Sequence, residues 1–179
     1  MPDDKMNLYL FEAIELRAEY DARVKLLGSL LPEARERRDR FSFHRDDEVR
    51  YVPAAGFDAV AVRGELDTLN VKRRKLNTAI QKINFETLID VGGERMSLSE
   101  ALELRKSVNE RIGELTAQLG NAAYERIVYK EERDIVEKPD LSYEDARRML
   151  EEKRLLFRAL NRVLRATAYT VAVGFKDED

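Results

Sequence analysis

Apolar residues recur along this chain in alternating steps of three and four. Ala13, Arg17, Tyr20, Val24, Leu27 and Leu31 form one series, and Ala101, Arg105, Val108, Ile112, Leu115 and Leu119 form another. A third runs through Val62, Leu66, Leu69, Arg73, Leu76, Ile80 and Ile83. Residues so spaced share one face of an α-helix, so each series is an apolar seam of the coiled-coil or bundle type. Start signals stand where these helices need them. Ser97-x-x-Glu100 and Ser142-x-x-Asp145 read as capping boxes, and Asp58 holds the place of Ser142 ahead of the remaining seam.

Two of the helices open alike: EAIELR at 12–17 returns as EALELR at 100–105. Shifted by 88, residues 10–38 are identical to residues 98–126 at 11 of 29 positions. The match resumes at an offset of 84, where Arg63 meets Arg147, Leu66 meets Leu150, Arg74 meets Arg158, and Leu76-Asn77 meets Leu160-Asn161. Phe85 falls on Tyr169, and Pro32 falls on Gly120 under the first offset, so both opening helices are expected to kink or break there. Each half then reads helix, loop, helix. The expected fold is mainly α: an antiparallel four-helix bundle from two homologous helical hairpins, one domain over 1–179 with repeat halves at approximately 6–91 and 94–175.

Short strands are expected at the connections. FSFHRDDEVRYV, 41–52, alternates about Asp46-Asp47 as a β-hairpin does, and 124–139 shows the same tendency more weakly. TLIDVGGERMSL, 87–98, has Gly92-Gly93 as its turn. AYTVAVGF, 168–175, matches the first strand of that hairpin and MNLYL, 6–10, matches the second. The two chain ends are therefore expected to pair with each other as the strands flanking Gly92-Gly93 do.

The stretches Arg40-Phe41-Ser42, Glu48-Val49-Arg50-Tyr51-Val52 and Ile80-Gln81-x-x-Asn84-Phe85-x-Thr87, with the EALELR helix opening, resemble septicolysin-like proteins, a group of uncharacterised helical bacterial proteins. The resemblance spans the first 105 residues and reaches the rest through the internal repeat. It implies a helical fold and brings no activity, cofactor or site residue. No amphipathic pore-forming stretch accompanies the cytolysin label.

Composition narrows the chemistry. There are 32 basic against 35 acidic residues, a net charge of −3, so the chain carries no global attraction to nucleic acid or anionic lipid. The absence of cysteine removes disulfides, thiolate nucleophiles and Cys-based metal sites. MPDDKMNLYLFEA has neither a basic region nor a long apolar core, so no signal peptide is expected, and no apolar run has the length of a membrane span. A cytoplasmic protein without membrane attachment is the expectation.

Candidate catalytic residues are absent. The single histidine, His44, lies in the 41–52 hairpin as a solvated loop residue, and one histidine supplies no His-His metal motif. Glu131-Glu132 and Glu151-Glu152 are sequence neighbours that point apart on a helix. The basic clusters at Arg35–Arg40 and Lys72–Lys75 have the charge to touch phosphates, but with Glu33 and Glu36 interspersed in the first and a negative net charge they read rather as solvated helical faces. The pair that stands out is Arg17 and Arg105, each on the apolar seam of its helix. A guanidinium there needs a partner or water. Glu12 and Glu15, their copies Glu100 and Glu103, and Asn77 and Asn161 across the seam are candidate partners.

These readings favour a non-enzymatic structural or protein-interaction module that self-associates as a dimer or higher homo-oligomer, with no cofactor and no metal, over nucleic-acid binding. Two alternatives stand beside this: a ligand-binding or enzymatic helical bundle that takes a small anion or carboxylate through the Arg17/Arg105 seam, with Glu12, Glu100, Asn77 and Asn161 around it, and a nucleic-acid binder that uses the basic clusters.

Overall fold

The computed structural model describes residues 8–31, 52–130 and 132–176. The 41–52 hairpin with His44, save its last residue Val52, and the Arg35–Arg40 cluster lie outside these residues. The described chain runs β1 (Leu8–Tyr9), α1 (Leu10–Leu30), α2 (Ala59–Glu86), β2 (Leu88–Val91), β3 (Glu94–Ser97), α3 (Leu98–Ala122), β4 (Arg126–Lys130), β5 (Arg133–Glu137), α4 (Tyr143–Ala168) and β6 (Ala172–Val173). It is the expected class: mainly helical, with helix-on-helix packing of the bundle type and short antiparallel β-ribbons. Two compact units divide it, 1–83 with 169–179, and 84–168.

Helix ends follow the local chemistry. Asp58 Oδ1 accepts from the backbone N–H groups of Val60 and Ala61 at 2.8 and 3.1 Å, satisfying two donors that the first turn of α2 leaves open. Ser142 Oγ does the same for Asp145 N–H at 3.1 Å and donates to Asp145 Oδ2 at 2.7 Å, so Ser142 caps α4 and its return bond from Asp145 is to the hydroxyl. α1 ends at Leu30, and Leu31 is extended, the conformation that Pro32 imposes on its predecessor. At the matching position α3 does not break: it runs through Gly120 to Ala122. Glycine lowers helix propensity but keeps its N–H, whereas proline removes the donor.

In the first unit α1 and α2 are antiparallel, because side-chain bridges join Arg17 to Asn77, Asp21 to Arg73 and Arg23 to Glu65. Leu10, Ala13, Tyr20, Leu69, Leu76, Ile80 and Val173 are its buried apolar residues, with Phe175 at the margin. The ends of this unit pair as expected: Leu8 lies opposite Val173 and Tyr9 opposite Ala172 in an antiparallel ribbon. Phe11 covers Tyr169 at a centroid distance of 4.5 Å.

In the second unit α3 packs along α4, and β2 lies against α4. Val108, Leu115, Ala146, Leu150, Leu160 and Leu164 are buried from the two helices, and Ile89, Val91 and Met96 from the ribbon. Gly92 and Gly93, at φ +67° and +90°, make the turn that any side chain would strain, and Gly93 N–H is held by Asp90 Oδ1 at 3.0 Å. β2 pairs with β3 so that Leu88 faces Ser97 and Ile89 faces Met96. Under the sequence offsets these are the partners of Ala172–Tyr9 and Val173–Leu8. The backbone bond that follows each ribbon also recurs: Leu10 N–H donates to Val171 O at 2.9 Å, and Leu98 N–H to Thr87 O at 3.0 Å.

Leu76 and Leu160 are both fully enclosed. Truncating Leu76 to Ala is expected to cost about 2–5 kcal/mol of stability. Leu155→Ala, at a position 59% exposed, is expected to stay within about 0.5 kcal/mol. Urea unfolding followed by circular dichroism measures both.

Candidate functional site

The glutamates of the repeated hexapeptide sit at helix starts. Ser97 precedes α3 with extended backbone and accepts Glu100 N–H on Oγ at 3.2 Å. Glu100 Oε2 in return accepts from Ser97 N–H at 2.7 Å and from Ser97 Oγ at 2.8 Å. Those bonds, the backbone one foremost, lower the Glu100 carboxyl below its ordinary value. At α1 Tyr9 stands in the Ser97 position and has no hydroxyl near the backbone, so half the box survives: Glu12 Oε2 accepts Tyr9 N–H at 2.7 Å. The alanine that follows each glutamate, Ala13 or Ala101, is completely buried. Glu–Ala at these positions is thus a helix-start signature with a close-packed small residue behind it.

Arg17 is half-buried and Nη1 donates to Asn77 Oδ1 at 3.3 Å. One turn on, Asp21 Oδ1 accepts from Arg73 Nη1 at 3.0 Å. Arg17 and Asp21 from α1, with Asn70, Arg73, Arg74 and Asn77 from α2, line a cleft of about 560 Å³. The α2 residues fall at i, i+3, i+4 and i+7, one stripe of the helix, and the α1 residues at i and i+4. Three arginines face one aspartate, so the lining carries an excess of positive charge.

The other half differs. Arg105 is exposed, Asn161 is half-buried, and among the described residues no hydrogen bond joins them. Asp21 corresponds to Asn109, and Arg73 corresponds to Phe157. Of the six residues singled out from sequence, the structure brings Arg17 and Asn77 together and places Glu12 and Glu100 at caps. Asp21 and Asn70 carry no signal in the sequence, and Arg73 and Arg74 enter it within the Lys72–Lys75 cluster, read there as a solvated face. The signal was Arg73, a charge on the seam of α2 where the other copy carries an aromatic.

A second feature is the β4–β5 ribbon. Ile127 faces Val136 and Tyr129 faces Asp134, so Ile127, Tyr129 and Val136 share a side. These three are 60%, 71% and 45% exposed. The ribbon has two strands, so each keeps one edge without a strand neighbour among the described residues. Among those residues no group of three or more His, Asp or Glu is placed to hold a metal, and no helix is long and apolar enough to cross a membrane.

Replacing Ser97 with Ala is expected to cost about 1 kcal/mol through the lost cap. Because the folded-state value of Glu100 is depressed, its stabilisation is complete above the ordinary carboxylate range and disappears as pH falls through the lowered value. Glu100→Gln should therefore destabilise the protein at neutral pH, and the gap from the parent should close on acidification in a pH series of urea melts.

Comparison with known proteins adds a family profile matched by the first half and a likeness of fold. Residues 3–89 match the profile of a family of unknown function (DUF6847), a span that includes all six cleft residues. No curated protein matches the chain. Among solved structures the chain is similar to a functionally unknown conserved protein from Corynebacterium diphtheriae, at 18% identity and a TM-score of 0.64 over 93% of this chain and 99% of that one. At that identity the likeness is one of fold.

Proposed function

We propose that this protein is a non-enzymatic interaction module of the cytoplasm, built from two copies of one helical hairpin, that self-associates through its β4–β5 ribbon. The observation that carries the reading is the apolar face of Ile127, Tyr129 and Val136 on a ribbon with open edges. A two-stranded ribbon is marginal in water by itself and gains from a third strand or a covering surface. An open edge with an apolar face is a template for pairing, and a second copy of the same ribbon merges two such faces into one. β5 is the better edge. Pairing β4 with its own copy about Val128 would oppose Arg126 and Lys130, like charges across the ladder. Pairing β5 about Ile135 opposes Asp134 and Val136 instead. The septicolysin-like resemblance of the first 105 residues adds no activity to this reading.

Sedimentation velocity of the parent and of a variant carrying Ile127→Lys and Tyr129→Lys tests it. The parent is expected to sediment as a dimer or larger, and the variant as a monomer with an unchanged helical spectrum. A parent that stays monomeric across the whole concentration range sinks self-association. A variant that still associates removes the ribbon from it.

A further inference from the structure

We infer that the cleft between α1 and α2 is a binding site for a phosphate group, held by Arg17, Arg73 and Arg74 with the carboxamides of Asn70 and Asn77. It is independent of self-association, because it belongs to a different part of the chain and uses none of the ribbon residues.

The first ground is placement. Arg73 occupies a seam position between Leu69 and Leu76, which are 4% and 0% exposed. The corresponding residue of the second hairpin is Phe157, an apolar one. The Arg73 side chain is 42% exposed, so its guanidinium reaches out of the seam to solvent and its bridge to Asp21 adds little to the packing. The second hairpin packs α3 along α4 with Phe157 in that place and Asn109 in the place of Asp21. Holding two such helices together therefore does not require the Arg73–Asp21 pair.

The second ground is the donor set. No apolar side chain lines the cleft. Its six lining residues are three guanidiniums, two carboxamides and one carboxylate. Guanidinium forks match phosphate oxygens with two parallel donors, and the excess of positive charge suits a dianion better than a single carboxylate. Arg74 makes no side-chain ion pair among the described residues. Its backbone carbonyl accepts from Thr78, and its guanidinium is left to the cleft. The Arg17–Asn77 bond, at 3.3 Å, is long for a hydrogen bond and exchangeable for a shorter one to an anion. Asp21 is the built-in competitor. It holds Arg73 while the cleft is empty of anion and must share that guanidinium when a phosphate enters.

The third ground is size. At about 560 Å³ the cleft is within the range of small-molecule sites and larger than a bare ion fills. The phosphate can come from inorganic phosphate or from a phosphorylated small molecule, and the two are separated by experiment.

Isothermal titration calorimetry of the full chain with inorganic phosphate, and separately with a sugar monophosphate, makes the test. Saturable, salt-sensitive binding at one site per chain is expected, tighter for the ligand that fills more of the cleft. Arg73→Phe, which installs the residue of the second hairpin, and Arg74→Ala should each weaken it by roughly tenfold or more while the unfolding midpoint holds or rises. Asp21→Asn should tighten it, an effect that a purely structural ion pair would not produce. Arg105→Ala, in the second hairpin, should leave it unchanged. The proposal is overturned if neither ligand binds the parent, if binding survives Arg73→Phe and Arg74→Ala, or if Arg105→Ala weakens it equally. The Ile127→Lys, Tyr129→Lys variant should bind as the parent does, so loss of self-association and loss of phosphate binding are read separately.

Discussion

Each opening helix of this protein begins where a strand stops, and the backbone N–H of its first residue must find an acceptor there. In both cases it finds one on the adjoining strand's partner: Leu10 on Val171, and Leu98 on Thr87. That single bond couples a ribbon to a helix. It sets Leu10 and Leu98 inward, and the alanine three residues on then faces inward as well. A carboxylate one residue before that alanine closes the cap. The repeated hexapeptide is written by this junction, since a glutamate, a small residue and the next apolar turn are what such a start demands.

Once the junctions are set, the two helix pairs are free to differ along their seams. The first is bridged by charges and amides, Arg17 to Asn77, Asp21 to Arg73 and Arg23 to Glu65. In the second, Arg111, the counterpart of Arg23, turns to Glu114 on its own helix, and Met149 stands where Glu65 would be. Exposed pairs of this kind contribute little to stability. In both helix pairs the buried leucines carry the packing, and the polar seam of the first leaves room for a cleft that an apolar seam would fill.

The ribbons divide in the same way. Two of them, β1–β6 and β2–β3, are tied to helices and each buries residues: Val173 in one, Ile89, Val91 and Met96 in the other. The third, β4–β5, leaves Ile127, Tyr129 and Val136 in solvent. A ribbon whose apolar side faces water gains from any surface that covers it, whereas the other two ribbons are already covered by the helices they adjoin.

Much of the fold is legible in the residues alone. Three-and-four spacing places the helices, Asp58, Ser97 and Ser142 mark their starts, Gly92-Gly93 marks the turn, and the match between chain ends and that hairpin foretells even the register of Leu8 with Val173. All of these depend on interactions between residues close in sequence, or on one copy repeating the other. What the tertiary structure decided is which charges meet. Periodicity assigns a residue to a face, but it leaves open how far one helix slides and turns against its neighbour. Arg17 and Arg105 hold equivalent positions, yet one reaches Asn77 and the other points to solvent, while Asp21 and Arg73 come together across 52 residues of sequence. A long guanidinium takes the nearest acceptor that packing presents, and that acceptor is chosen by the stagger of two helices, a quantity written in no single stretch of chain.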